Sequence, residues 1–199
     1  MAGLHHIIML MESEPTSLRG KLLIAMPAMA DPRFAHSVVY ICVHSPQGAM
    51  GLIVNKPNPE VRMTDLLEQL KIPPQPGMRD IRVHFGGPVE QTRGFVLHSA
   101  EYSAGDATLR VDDVTALTAT LDVLQQIAQG QGPQLSMFAL GYAGWGPGQL
   151  DAEIAGNGWL SCAPRNDIVF GRANEHKWSA ALKSIGVNPL GLSSTAGRA

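Results

Sequence analysis

The chain predicts an α+β domain built on a mixed, branched β-sheet with helices around it. Three observations lead there. Short β-branched and apolar runs recur along the 199 residues, with helical patterns interspersed among them. The spacing lacks the regular strand–helix alternation of a doubly wound parallel fold. No internal repeat period appears, which removes solenoids and propellers.

In chain order, "KLLIAM" (21–26) is a short apolar run closed by Pro27, hence a strand. Residues 28–37 are a loop broken by Asp31-Pro32. "SVVYICVH" (37–44) is apolar at both parities, the mark of a central strand buried on both faces. "SPQGA" carries turn chemistry and "MGLIVN" (50–55) follows as the second arm of a hairpin. Residues 56–60 are expected to leave the sheet, because Pro57 and Pro59 lack the amide donor. Met63, Leu66, Leu67 and Leu70 form one helical face over 63–71, with Thr64 as N-cap.

Residues 72–80 read as a loop, and 81–85 and 94–98 as strands around "GGPVEQTR". A strand at 107–111 precedes the best helical pattern, over 112–129, with Val114, Leu117, Leu121, Leu124 and Ile127 or Ala128 on one stripe. Asp112 or Asp113 caps its start and Gly130 ends it. Residues 134–140 are a strand feeding a glycine-rich loop, 149–156 a short helix, and 158–163 and 167–170 strands. The last helix, 175–186, turns Trp178, Ala181, Leu182 and Ile185 inward and stops at Gly186.

A chain of this length suits one domain and buries roughly 70% of its unfolded surface. The expected division is an N-terminal tail over 1–16, one domain over 17–188 and a disordered tail over 189–199. The net charge of −2 predicts no strong attraction to nucleic acid or to an anionic membrane. The apolar run from His5 to Met11 lacks a basic leader and a cleavage site, and no stretch approaches the ~20 apolar residues of a membrane span. Cys42 and Cys162, the two cysteines, read as reduced, buried thiols of a cytoplasmic protein, with a reactive nucleophile or a redox sensor as the alternative.

The segment "GYAGWGPGQL" (141–150) places Trp145 among four glycines just before a helix. Together with "LLIAMPAMADPRFAHSVVYICVH", "GAMGLIVNKP", "HFGGPVEQTRGFVLHS" and "DIVFG…WSAAL…IGV", it resembles the bacterial AlgH-like family over about residues 17–188. The resemblance implies a branched sheet that includes a small closed barrel, wrapped by helices. It also implies a transcriptional-regulator label, in a family whose biochemical activity is not established. Val43 stands where that family usually has an acidic residue, so no acidic catalytic role falls there.

The candidate site residues come from loops that follow strands. Asn55 and Lys56 close one, Gly86, Gly87 and Arg93 belong to a second, and Trp145, Gly146 and Gln149 to the third. Lys56 and Arg93 would supply positive charge and the glycine backbones N–H donors, for a small anion or nucleotide-like ligand. The bland reading is three tight corners, with Trp145 pinning a glycine turn to the core. The histidines show no ligand spacing, so no metal is assigned, and no nucleophile elbow or phosphate loop names a catalytic residue or a cofactor.

Ten arginines and five lysines are scattered, with no basic stripe and no helix-turn-helix. The sequence therefore favours a non-enzymatic cytoplasmic module that binds a protein or a small ligand and acts on expression indirectly. An enzyme or sensor with an anion site comes second, and a direct DNA binder third. No pattern specifies an oligomeric state.

Overall fold

The computed structural model describes residues 17–192. The expected N-terminal tail over 1–16 and the last residues of the expected C-terminal one lie outside them. Within the described part of the latter, Pro189–Gly191 form one 3-10 turn capped by the Asn188 side chain.

Ten strands and five α-helices follow in order: β1 (Leu22–Ala25), β2 (Val38–Ser45), β3 (Gly48–Ile53), β4 (Pro57–Arg62), α1 (Met63–Gln69), β5 (Arg82–Phe85), β6 (Val89–Ser99), β7 (Thr108–Arg110), β8 (Thr115–Thr118), α2 (Leu121–Ala128), β9 (Ser136–Trp145), α3 (Gln149–Ala155), β10 (Trp159–Cys162), α4 (Asn166–Val169) and α5 (Asn174–Ser184). The main sheet runs β10-β1-β2-β3-β9-β6-β8-β7, and β4 and β5 branch from it through β9.

β2 is the central strand its composition predicted. It pairs with β1 and β3 and feeds both faces. Val38, Tyr40 and Cys42 enter one core with the α5 residues Ala181 and Leu182. Val39 and Ile41 enter a second with Leu150, Trp145 and Trp159. A third core lies where α1 and α2 cover Val83, Val96 and Phe138.

β9 is the branch point. Its Ala143–Trp145 end pairs with β3, while Phe138–Leu140 pairs with β5 in parallel and β6 follows its other edge antiparallel. The first core draws residues from β1 across to β7 and β8, so the antiparallel sheet curls. It does not close. β7 and β10 remain edges, which corrects the expected closed barrel. Side chains bridge the opening in place of a backbone ladder. Tyr40 Oη donates to Asp112 Oδ2 at 2.8 Å, and Arg19 Nε donates to the Val111 carbonyl at 2.8 Å.

The structure corrects five further expectations. Residues 57–62 do form a strand, an edge that pairs only with β5, where a proline without an amide hydrogen is tolerated. The helix after it starts at Met63 as expected, but with Arg62 rather than Thr64 at the cap. The long helix over 112–129 is a strand, β8, followed by the shorter α2. Finally, 167–170 is a single helical turn, α4, and the expected glycine loop at 141–145 is the continuation of β9.

Candidate functional site

The three expected loops do meet, through their backbones. Ile53 N–H donates to the Gly86 carbonyl, Phe85 N–H to the Lys56 carbonyl and Gly86 N–H to the Leu140 carbonyl, all within 2.9 Å. A Cβ on Gly86 would overlap the Gly141 carbonyl, and one on Gly87 would overlap the backbone of Tyr142 and Ala143. Gly141 itself has φ 73°. The glycines let three backbones touch.

The side chains disperse from this junction. Asn55 spends both ends of its amide, accepting from Val38 N–H at 2.8 Å and donating to the His36 carbonyl at 2.8 Å. Lys56 Nζ donates to the Arg33 carbonyl at 2.6 Å, and burial holds its pKa below the usual lysine value. Arg93 pairs with Glu90 at 3.3 Å and lies 5.2 Å over the Phe95 ring. Phe95 belongs to the first core, whereas Trp145 belongs to the second, on the other face of the sheet.

Trp145, Gly146 and Gln149 converge on one carboxylate. Glu153 Oε2 accepts from the indole N–H of Trp145 at 2.9 Å and of Trp159 at 2.8 Å. Its Oε1 accepts from Gln149 Nε2 at 2.9 Å, and Gln149 Oε1 accepts from Gly146 N–H at 3.0 Å. The two indoles meet edge to face, and Phe34 packs on both. Each aromatic buries its body and satisfies its N–H. The tryptophan among the glycines is an anchor with an assigned partner.

Different chemistry gathers at the other end of β5 and β9. A cleft of about 350 Å³ is lined by Arg79, Arg82, His84, Ser136, Arg172 and Asn174, among others. Backbone carbonyls hold two of the guanidinium groups. Arg79 donates to the Pro133 carbonyl at 2.6 Å and to that of Gln134, and Arg82 donates to the Arg172 carbonyl at 3.3 Å. Arg172 alone meets a carboxylate, Asp80, at 2.6 Å. Carbonyl bonds orient a guanidinium without cancelling its charge, so the cleft carries net positive charge.

Its floor is buried. His84 Nδ1 donates to the Arg82 carbonyl at 3.1 Å, and Nε2 lies 3.3 Å from Asn174 Oδ1. The Asn174 Nδ2 is buried and has no hydrogen-bond partner. Behind them Lys177, only 3% exposed, donates to the carbonyls of Val54 at 2.8 Å and Val169 at 3.3 Å. Desolvation pushes its pKa down to about 8. Burial, and to a lesser degree the Lys177 charge, push His84 down as well. Two further cavities border the same 75–82 connection. One, of about 630 Å³, is lined by apolar Val61, Met63, Met78 and Ile81 and shares Arg82. The other shares Arg79 and Gln134. None of the three is lined by Asn55, Lys56, Gly86, Gly87, Arg93, Trp145, Gly146 or Gln149.

A sequence profile described as AlgH-like matches residues 22–190. The chain belongs to the AlgH-like family. A UPF0301 protein of Cereibacter sphaeroides is 54% identical over 182 residues, 92% of this chain and 99% of that one. A UPF0301 protein of Jannaschia sp. is 56% identical over 183 residues, 92% of this chain and 95% of its own. The solution structure of the AlgH protein from Pseudomonas aeruginosa superposes with TM-score 0.75 at 44% identity, covering 94% of this chain and 97% of that one.

For this AlgH-like chain, the sequence pointed at the junction and passed over the cleft. Arg79, Arg82, His84, Arg172 and Asn174 come from two stretches about 90 positions apart, and no short motif links them. His84 lies within the expected strand 81–85 and carries no ligand spacing. Among the described residues no group of three or more His, Cys, Asp or Glu is placed to hold a metal, and no helix is long and apolar enough to cross a membrane.

Proposed function

We propose that this AlgH-like chain is a cytoplasmic ligand-binding module whose site is the arginine cleft, that its ligand is a small anion, and that any effect on gene expression is indirect. One observation carries the reading. Three guanidinium groups surround a single cavity with one carboxylate among them, above a buried ammonium that has no acidic partner among the described residues. Oriented and uncompensated guanidinium groups are what bidentate recognition of a carboxylate or phosphate requires. Binding rather than turnover fits the histidine, because the ring nitrogens of His84 face the Arg82 carbonyl and the Asn174 amide rather than a nucleophile.

The test is thermal unfolding with sulfate, phosphate and short dicarboxylates against chloride at equal ionic strength. A ligand present at 100 times its Kd adds about 2.7 kcal/mol of stability. Arg172→Ala should remove the rise. Equal melting temperatures in every salt would refute the cleft as the site. Retention of the chain on its own promoter DNA against competitor DNA would refute the indirect role.

A further inference from the structure

We infer that His84 and Asn174 set the specificity of the arginine cleft: it takes up an oxyanion together with a proton on His84. This rests on the cleft being the ligand site.

The Arg82 carbonyl accepts from His84 Nδ1, so Nδ1 keeps its hydrogen and Nε2 is the nitrogen that titrates. Nε2 faces Asn174 Oδ1 at 3.3 Å. A neutral ring would set its lone pair against the amide oxygen. An imidazolium donates to that oxygen, and the arrangement is then satisfied, with the Asn174 N–H₂ end as the unpartnered group.

An amide can turn about its last bond. Opposite a neutral ring, Nδ2 donates to Nε2, and the carbonyl oxygen takes the unpartnered position. Protonation of His84 therefore chooses which end of the buried Asn174 amide is left unpartnered in the floor of the cleft. The N–H end and the imidazolium charge both favour an anion, while the carbonyl end and the neutral ring do not.

The cationic surroundings disfavour the imidazolium while the cleft is empty. The groups around His84 are Arg82 on its own strand, Arg79 and Asp80 on the preceding connection, Arg172 before α5 and Lys177 on α5. β9 contributes uncharged Ser136 and Met137, and β4 sets Pro57 opposite His84. The one acidic group, Asp80, is tied to Arg172. Hydrogen bonds aside, no free carboxylate among the described residues of the cleft compensates an imidazolium until an anion enters.

The experiment is calorimetric titration of sulfate into the full chain between pH 5.5 and 7.5, at fixed ionic strength and in buffers of different ionisation enthalpy. Sulfate keeps the same charge throughout this range. Affinity should rise as pH falls through this window, with a slope approaching tenfold per unit, the limit for one linked proton. Proton uptake per sulfate should approach one. His84→Gln should bind sulfate with a flat pH profile. Lys177 titrates near pH 8, above this window.

NMR titration of the wild-type His84 ring with and without sulfate gives an answer that does not depend on the variant folding: its pKa should rise when sulfate is bound. Sulfate binding without proton uptake, a wild-type slope in His84→Gln, or an unchanged ring pKa would each overturn the inference while leaving the cleft as the site. No sulfate binding at any pH would overturn both.

Discussion

β5 and β9 run parallel, so their two ends form two places in the molecule, and these places contrast. At one end lies the glycine junction, where Gly86, Gly87 and Gly141 press three backbones together and every conspicuous side chain nearby has an internal partner. At the other end lies the arginine cleft, where three guanidinium groups meet a single carboxylate among the described residues, over a buried floor. Glycines and tryptophan recorded where the backbone had to fit. Excess positive charge over a buried, unsatisfied floor is what the proposed anion site rests on. Conspicuous composition and functional chemistry are separable in this fold.

The contrast predicts that substitutions at the junction damage folding and substitutions in the cleft do not. The largest effect is expected for Gly87→Ala. Its Cβ would overlap main-chain atoms of Tyr142 and Ala143, which no rotamer change relieves. A loss of about 3 kcal/mol or more in urea unfolding is expected. A loss under ~1 kcal/mol would show that the junction is loose and that its glycines serve something other than close approach.

Next comes Glu153→Ala. It strands the N–H groups of Trp145 and Trp159, which are 7% and 1% exposed. Leaving two buried donors unpaired costs about 2 kcal/mol. Glu153→Gln, which keeps an acceptor oxygen but brings its own donors, should fall between. If Glu153→Ala unfolds at the wild-type urea midpoint, the indole cluster is not the anchor of the glycine segment.

How much of this was legible in the sequence differs by region for physical reasons. β2 was legible because a strand buried on both faces needs apolar side chains at every position, and Val38–Val43 supply them. The stretch from 112 to 129 was misread because Leu117, Leu121 and Leu124 fall at helical spacing by coincidence. Leu117 points into the core from a strand, and Val114 at the head of the supposed stripe is 64% exposed. The threonines at 115, 118 and 120 were the signal for a short strand and a break. "DIVF" illustrates the ambiguity of a four-residue apolar run, which fits a strand or one helical turn equally well. The cleft was illegible for a topological reason. Residues 79–84 and 172–174 meet only once α5 has packed over the core, and scattered arginines carry no periodicity.

Acid offers a third, milder probe, and it reaches both halves of the comparison. His98 is fully buried. Its Nδ1 donates to the Ser99 carbonyl at 2.9 Å, while Nε2, facing Thr118 Oγ1 at 2.8 Å, accepts from that hydroxyl. Thr108 completes the chain at 2.8 Å. Burial lowers the pKa of both His98 and His84. A histidine held below its unfolded value binds fewer protons in the folded state than in the unfolded one. Stability is therefore full above about pH 6.5 and declines as pH falls from there toward the folded pKa values. Urea midpoints at pH 7.5 and 5.5 should show the decline, smaller in His98→Gln. With saturating sulfate, the His84 share should shrink and the His98 share should not. A decline that sulfate leaves untouched would place the whole acid sensitivity in the framework.

The smallest stability effect should come from Arg82→Ala, and it sharpens the comparison most. Arg82 is exposed, and its guanidinium makes one long hydrogen bond, 3.3 Å, to a carbonyl. Its removal should change unfolding free energy by less than about 0.5 kcal/mol, as for most surface positions. The same substitution removes one of three positive charges around the cleft. Charge-assisted hydrogen bonds are worth about 1.5–3 kcal/mol each, so sulfate affinity should fall roughly ten- to a hundredfold. Arg93→Ala is the matched control, since it too removes a guanidinium, one paired to Glu90 and stacked on Phe95. It should leave sulfate affinity unchanged. If Arg93→Ala weakens sulfate and Arg82→Ala does not, the assignment of the two ends of β5 and β9 is reversed, and the glycine junction is the binding surface.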